Sequence, residues 1–166
     1  MNKTLLTLGL ACATLTATVT TQAAEVIRHK LPGSDFPIAL AVEIPASATV
    51  VNLSGVVPGV IDVSAPKDSL KAYGDTEAQT VNVLQSIEKN LQSLGLKMGD
   101  VVKMQVYLVG DPAKGGKMDF AGFMKGYTQF FGGAKQPNLP SRSAFQVAGL
   151  ANPGYLIEIE VVAVRP

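Results

Sequence analysis

Two stretches of the chain repeat apolar residues every three or four positions, and several others alternate them with polar ones. Ala78, Val81, Leu84, Ile87, Leu91 and Leu94 form one stripe and predict a helix. Thr76-Glu77-Ala78-Gln79 has capping-box spacing at its start, and Gly95 fits a stop at its end. A second helix is predicted over 119–131 from Phe120, Phe123, Met124, Tyr127 and Phe131. That aromatic stripe reads as core, with Gly122 and Gly126 as points of close approach to a sheet. Between the helices, 101–109 alternates: Val102, Met104, Val106 and Leu108 face one side, and Lys103, Gln105 and Tyr107 the other. Residues 156–164 do the same, with Ile157, Ile159, Val161 and Ala163 opposed to Glu158 and Glu160. A further strand is expected over 142–147. Segments 38–44 and 48–54, separated by Pro45-Ala46-Ser47, predict a hairpin. Residues 55–75, rich in Gly, Pro, Ser and Asp, predict a loop too long to be a simple connection. Strands, helix, strand, helix, strands in that order predict one α+β domain.

The first residues read differently. Lys3 precedes an uncharged apolar run from Leu5 to Val19, and Thr20-Thr21-Gln22-Ala23-Ala24 closes it with small residues. That order marks a signal peptide, residues 1–23, cleaved after Ala23. A buried N-terminal helix or a lipoprotein signal around Cys12 fits less well, since Gly9 stands where lipidation needs a large aliphatic residue. The expected product is a single domain, 24–166, periplasmic or secreted, with no membrane attachment once the signal is removed. Its composition narrows the chemistry. Cys12 is the only cysteine and leaves with the signal, so neither a disulfide nor a thiol nucleophile is expected. Loss of Lys3 balances the remaining basic side chains against the 13 acidic ones, which gives no support for nucleic acid binding. His29, the one histidine, lies between Arg28 and Lys30 and reads as solvated. A zinc site needs more ligands than this, and no metal or cofactor is expected.

Three polar residues stand out at strand ends or within apolar strands: Arg142 after Pro140-Ser141, Glu158 inside the last strand, and Ser54 before Gly55. Taken singly, each has a plain structural explanation. The Arg is solvated, the Glu faces water, and the Ser makes a turn. No Ser-His-Asp set, Gly-rich phosphate loop or metal cluster competes with them.

Five segments together resemble the reactive intermediate deaminase family, also called Rid, YjgF or endoribonuclease L-PSP. They are SGVVP (54–58), AQTVNVLQSIEKNLQSLGLKMGDVVKMQVYL (78–108), DFAGFMKGYTQFF (119–131), LPSRSAFQVAGL (139–150) and LIEIEVVAV (156–164). The resemblance implies a chorismate-mutase-like sheet with two helices on one face, and a homotrimer with a ligand cleft at each subunit interface. It also implies hydrolytic deamination of 2-imino or enamine acids to 2-keto acids and ammonia, without a cofactor. Arg142 matches the residue that grips the substrate carboxylate, and Glu158 the carboxylate that holds the attacking water. Ser54, Gly55 and Ser143 match residues lining the cleft. The partners implied are a small imino, keto or amino acid and further copies of the chain. An Arg fork suits a carboxylate, and a protonated imine needs a placed water and a base more than a strong nucleophile.

The chain departs from the family pattern at three places. Phe36-Pro37-Ile38 stands where many members have Gly-Pro-Tyr, Met124 replaces an Asn and Ala144 a Cys. A non-catalytic trimer that binds small carboxylates or a protein partner is therefore the alternative. Ribonuclease activity is disfavoured by the neutral charge and the missing histidines.

Overall fold

The structure, a computed structural model, describes residues 25–165; the signal-peptide reading lies outside them. Strands β3 (Thr49–Val56), β4 (Val101–Val109), β5 (Ser141–Val147) and β6 (Ile157–Arg165) form one sheet in the order β3-β6-β4-β5. Helices α1 (Thr76–Ser93) and α2 (Phe120–Tyr127) pack on one face of it. β6 runs antiparallel to both β3 and β4, whereas β5 runs parallel to β4. The alternation expected of β4 and β6 holds from Met104 to Leu108 and from Ile157 to Val161, whereas at the start of β4 the register shifts and both Val101 and Val102 are buried. Met104, Val106, Leu108, Ile157, Ile159 and Ala163 are fully buried against Leu84, Ile87, Leu91, Phe123 and Tyr127. Each of the larger aliphatic side chains contributes about 1.5–3 kcal/mol through burial. Among the described residues no helix is long and apolar enough to cross a membrane.

The hairpin over 38–44 and 48–54 does not form. β2 (Ala39–Glu43) pairs instead with β1 (Ile27–Lys30), and β3 pairs with β6. Both segments alternate well enough to be strands, but alternation does not choose a partner. The small sheet is held to the domain by Arg28, which donates to the carbonyls of Leu139, Gly99 and Val101. His29 lies on its exposed side, 2.7 Å from Glu43.

Helix α1 also starts differently. Its N-cap is Asp75, whose side chain accepts from the Ala78 N–H at 2.9 Å, so Thr76 is already helical. Gln79 is then free for another task. It is fully buried, donating to the carbonyls of Gly74 and Gly154 and accepting from the Leu156 N–H. The buried face turns with it: Thr80 and Val83 point in, while Leu94 is exposed. The stop is as expected. Gly95 has φ +72°, and the N–H groups of Gly95 and Leu96 reach the carbonyls of Gln92 and Leu91. Gly126 serves the other helix rather than the sheet, since a Cβ there would meet Thr80 at 2.7 Å. The long loop after β3 is pinned by Tyr73, which donates to the Lys67 carbonyl and packs edge-on against Tyr155.

Candidate functional site

β5 positions Arg142 opposite Met104 of β4. Directly paired residues share a face of the sheet, so Arg142 points with Met104 toward the helices. There its guanidinium carbon lies 4.3 Å from the centroid of the Tyr127 ring, 4.9 Å from Phe123, 5.4 Å from Phe36 and 6.0 Å from Phe120. Ring faces attract a cation, the more so away from water. The Nη2 group donates to the Met124 sulfur at 3.3 Å, and Nη1 is buried without a partner. Burial lowers the Arg142 pKa, opposed by Tyr127, and the group stays cationic. Burial likewise pushes the Tyr127 phenol up to about 12, against the pull of Arg142. Arg142 makes no ion pair among the described residues.

Beside it a cleft of about 240 Å³ opens between β2 and the edge of β5. Leu31, Ile38, Leu40 and Met104 supply its apolar wall, and Lys103, Ser141, Arg142 and Ser143 its polar one. Ser143 is exposed, one residue along β5 from Arg142 and so on the other face.

Glu158 belongs to a different place. It pairs with Tyr107 of β4, on the sheet face that the helices leave open. The β3–β6 register breaks between Leu53 and Val56, which sets Ser54 and Gly55 in a bulge against β6. A Cβ at position 55 would collide with the Glu158 carboxylate, so only glycine lets that carboxylate settle on the bulge. Ser54 is exposed beside it. The next carboxylate on that face, Glu160, is already engaged by the Tyr107 hydroxyl at 2.9 Å, a bond that raises the Tyr107 pKa. Glu158 makes no side-chain hydrogen bond or ion pair among the described residues.

Within one chain the candidate residues fall into two separate groups. Gly55, Ser54 and Glu158 come together, and Arg142 and Ser143 flank one cleft edge. Arg142 and Glu158 lie on opposite faces of the sheet, one strand to either side of β4, and do not converge within the chain. A larger cleft, about 610 Å³, lies between the end of α1 and residues 129–138 and includes none of these residues. Sequence reasoning missed the aromatic box. The α2 stripe reads as core, which Phe123 and Tyr127 are, but Arg142, on the next strand, had no visible link to it. Phe36, the residue that departs from the family turn, was the available signal.

The family profile described as Endoribonuclease L-PSP matches residues 41–165. The chain belongs to this family, known also as Rid or YjgF. It is 35% identical over 100 residues to a RutC family protein of Pyrococcus horikoshii, covering 60% of this chain and 71% of that one. It is 34% identical over 91 residues to the candidate reactive intermediate deaminase TdcF of Escherichia coli K12, covering 55% of this chain and 64% of TdcF. A solved structure of the Rid family protein YyfB from Yersinia pestis, a protein of unknown function, superposes with a TM-score of 0.63 at 25% identity, over 85% of this chain and 98% of that one.

Proposed function

We propose that the protein hydrolyses 2-imino acids and their enamine tautomers to 2-keto acids and ammonia, at a site completed between two copies of the chain. The observation that carries this reading is a buried guanidinium with a free Nη1 and no internal anion, the complement of a carboxylate supplied from outside. Glu158 of a neighbouring copy, unengaged on its bulge, is the base. Water adds to the iminium carbon as its proton passes to Glu158, giving a carbinolamine. Return of that proton to nitrogen lets the C–N bond break, and ammonia leaves as the hydroxyl proton passes to Glu158 and the carbonyl forms. Likeness to TdcF, named as a candidate reactive intermediate deaminase, supports deamination as the reaction type.

The test generates 2-imino acids with an amino-acid oxidase and catalase and traps the unhydrolysed imine with semicarbazide. Arg142→Ala is expected to lower kcat/KM by about 10–100-fold, the loss of one charge-assisted carboxylate contact. Arg142→Lys is not expected to restore it, because the planar fork is what the carboxylate reads. Unchanged turnover in Arg142→Ala contradicts the assignment. A second reading, a carboxylate-binding assembly without turnover, is favoured by the absence of a base beside Arg142 among the described residues of the chain, Glu158 lying on the opposite face of the sheet. Binding of keto acids without loss of imine is the result that selects it.

A further inference from the structure

Arg142 is enclosed unevenly. Three of its four rings come from α2, and two of these, Phe123 and Tyr127, are fully buried. The fourth, Phe36, comes from the segment between β1 and β2 and is 39% exposed. Its neighbours are pinned. The Tyr127 hydroxyl donates to the Pro37 carbonyl at 2.9 Å, and the Ala39 N–H donates to the Pro140 carbonyl at 2.9 Å. The Phe36 ring itself is partly exposed, stacked on Phe120 at 6.4 Å and set over the guanidinium. Exposing Nη1 by unpacking α2 breaks the core, whereas turning Phe36 takes one rotamer change at a half-exposed side chain. A buried donor without a partner calls for an explanation, and a carboxylate admitted past Phe36 supplies one.

We propose that Phe36 is the specificity-determining gate of the Arg142 site. Its ring turns aside to admit a carboxylate to Nη1, then forms with Phe120 and the aliphatic cleft wall the surface on which the ligand's side chain rests. The site thus favours 2-imino and 2-keto acids with branched aliphatic side chains over those with a bare methyl. Leu31, Ile38 and Leu40 line the cleft next to Arg142, whose volume of about 240 Å³ holds such a side chain. This rests on the reading of Arg142 as the carboxylate anchor, and the test separates the two.

Phenylglyoxal modifies accessible guanidinium groups and needs no ligand. The chain has three arginines, and exposed Arg165 serves as internal reference in a peptide-resolved mass measurement. Arg142 labelling relative to Arg165 is expected to rise about tenfold or more in Phe36→Ala, given how fully Nη1 is covered. In calorimetry, wild type is expected to bind 4-methyl-2-oxopentanoate about tenfold more tightly than pyruvate, from the extra apolar carbons buried. Phe36→Ala is expected to bring that ratio near one, and Phe36→Leu, which keeps an apolar wall, to retain most of it. Unchanged labelling, or an unchanged ratio in Phe36→Ala, overturns the gate. Faster labelling with no keto acid bound to either protein overturns the carboxylate anchor, and with it the ligand assignment.

Discussion

Glu158→Gln is expected to lower imine hydrolysis by about 10²–10⁴-fold, the usual contribution of a positioned general base, with little change in thermal stability. The substitution keeps shape and removes only the capacity to take a proton. The side chain rests against Gly55 and has no ion pair to lose among the described residues. Glu160→Gln is the control on the same face. Its carboxylate is already held by Tyr107, so the expected effect on turnover is much smaller. Imine trapping and keto acid formation, followed beside a melting curve, check both. Equal losses in the two variants place the base elsewhere.

Gln79→Leu is expected to destabilise the fold by about 3–5 kcal/mol. Gln79 is fully buried and joins the Gly74 carbonyl, the Gly154 carbonyl and the Leu156 N–H. Leucine fills the space but leaves three backbone groups without a partner, each costing about 1–3 kcal/mol when buried. A small domain has only about 5–15 kcal/mol in total, so the melting temperature is expected to fall by about 10 °C or more. Thermal and urea unfolding measure it. A shift within a degree or two shows that water replaces the amide. The bridge also links α1 to the turn that feeds β6, and so holds the strand that presents Glu158.

Much of this frame was legible in the chain. β4 alternates from Val102 to Leu108 and β6 from Ile157 to Val161, so the faces of these stretches, and the shared side of Glu158 and Glu160, follow from period two alone. Gly95 marked the end of α1 because a left-handed residue after a helix is nearly always glycine. The legible signals failed where two readings use the same residue types. Asp75 and Thr76 are both good caps, and choosing Thr76 turned Gln79 from a buried bridge into a surface partner. Strand β2 carries a strand pattern but no label for its partner, and β1 was too short to announce itself. The separation of Arg142 from Glu158 depends on β5 pairing in parallel with β4, a relation between segments more than thirty residues apart that no local pattern records.

The central proposal, that Arg142 of one copy works with Glu158 of another, is tested most directly by complementation. Arg142→Ala and Glu158→Gln, each strongly impaired alone, are co-expressed and the mixed assemblies assayed for imine hydrolysis. If the site spans two copies of a trimer, each mixed trimer regains one intact site in three. That restores about a quarter of wild-type activity in a random equal mixture. Activity no greater than that of the two variants assayed separately would contradict it.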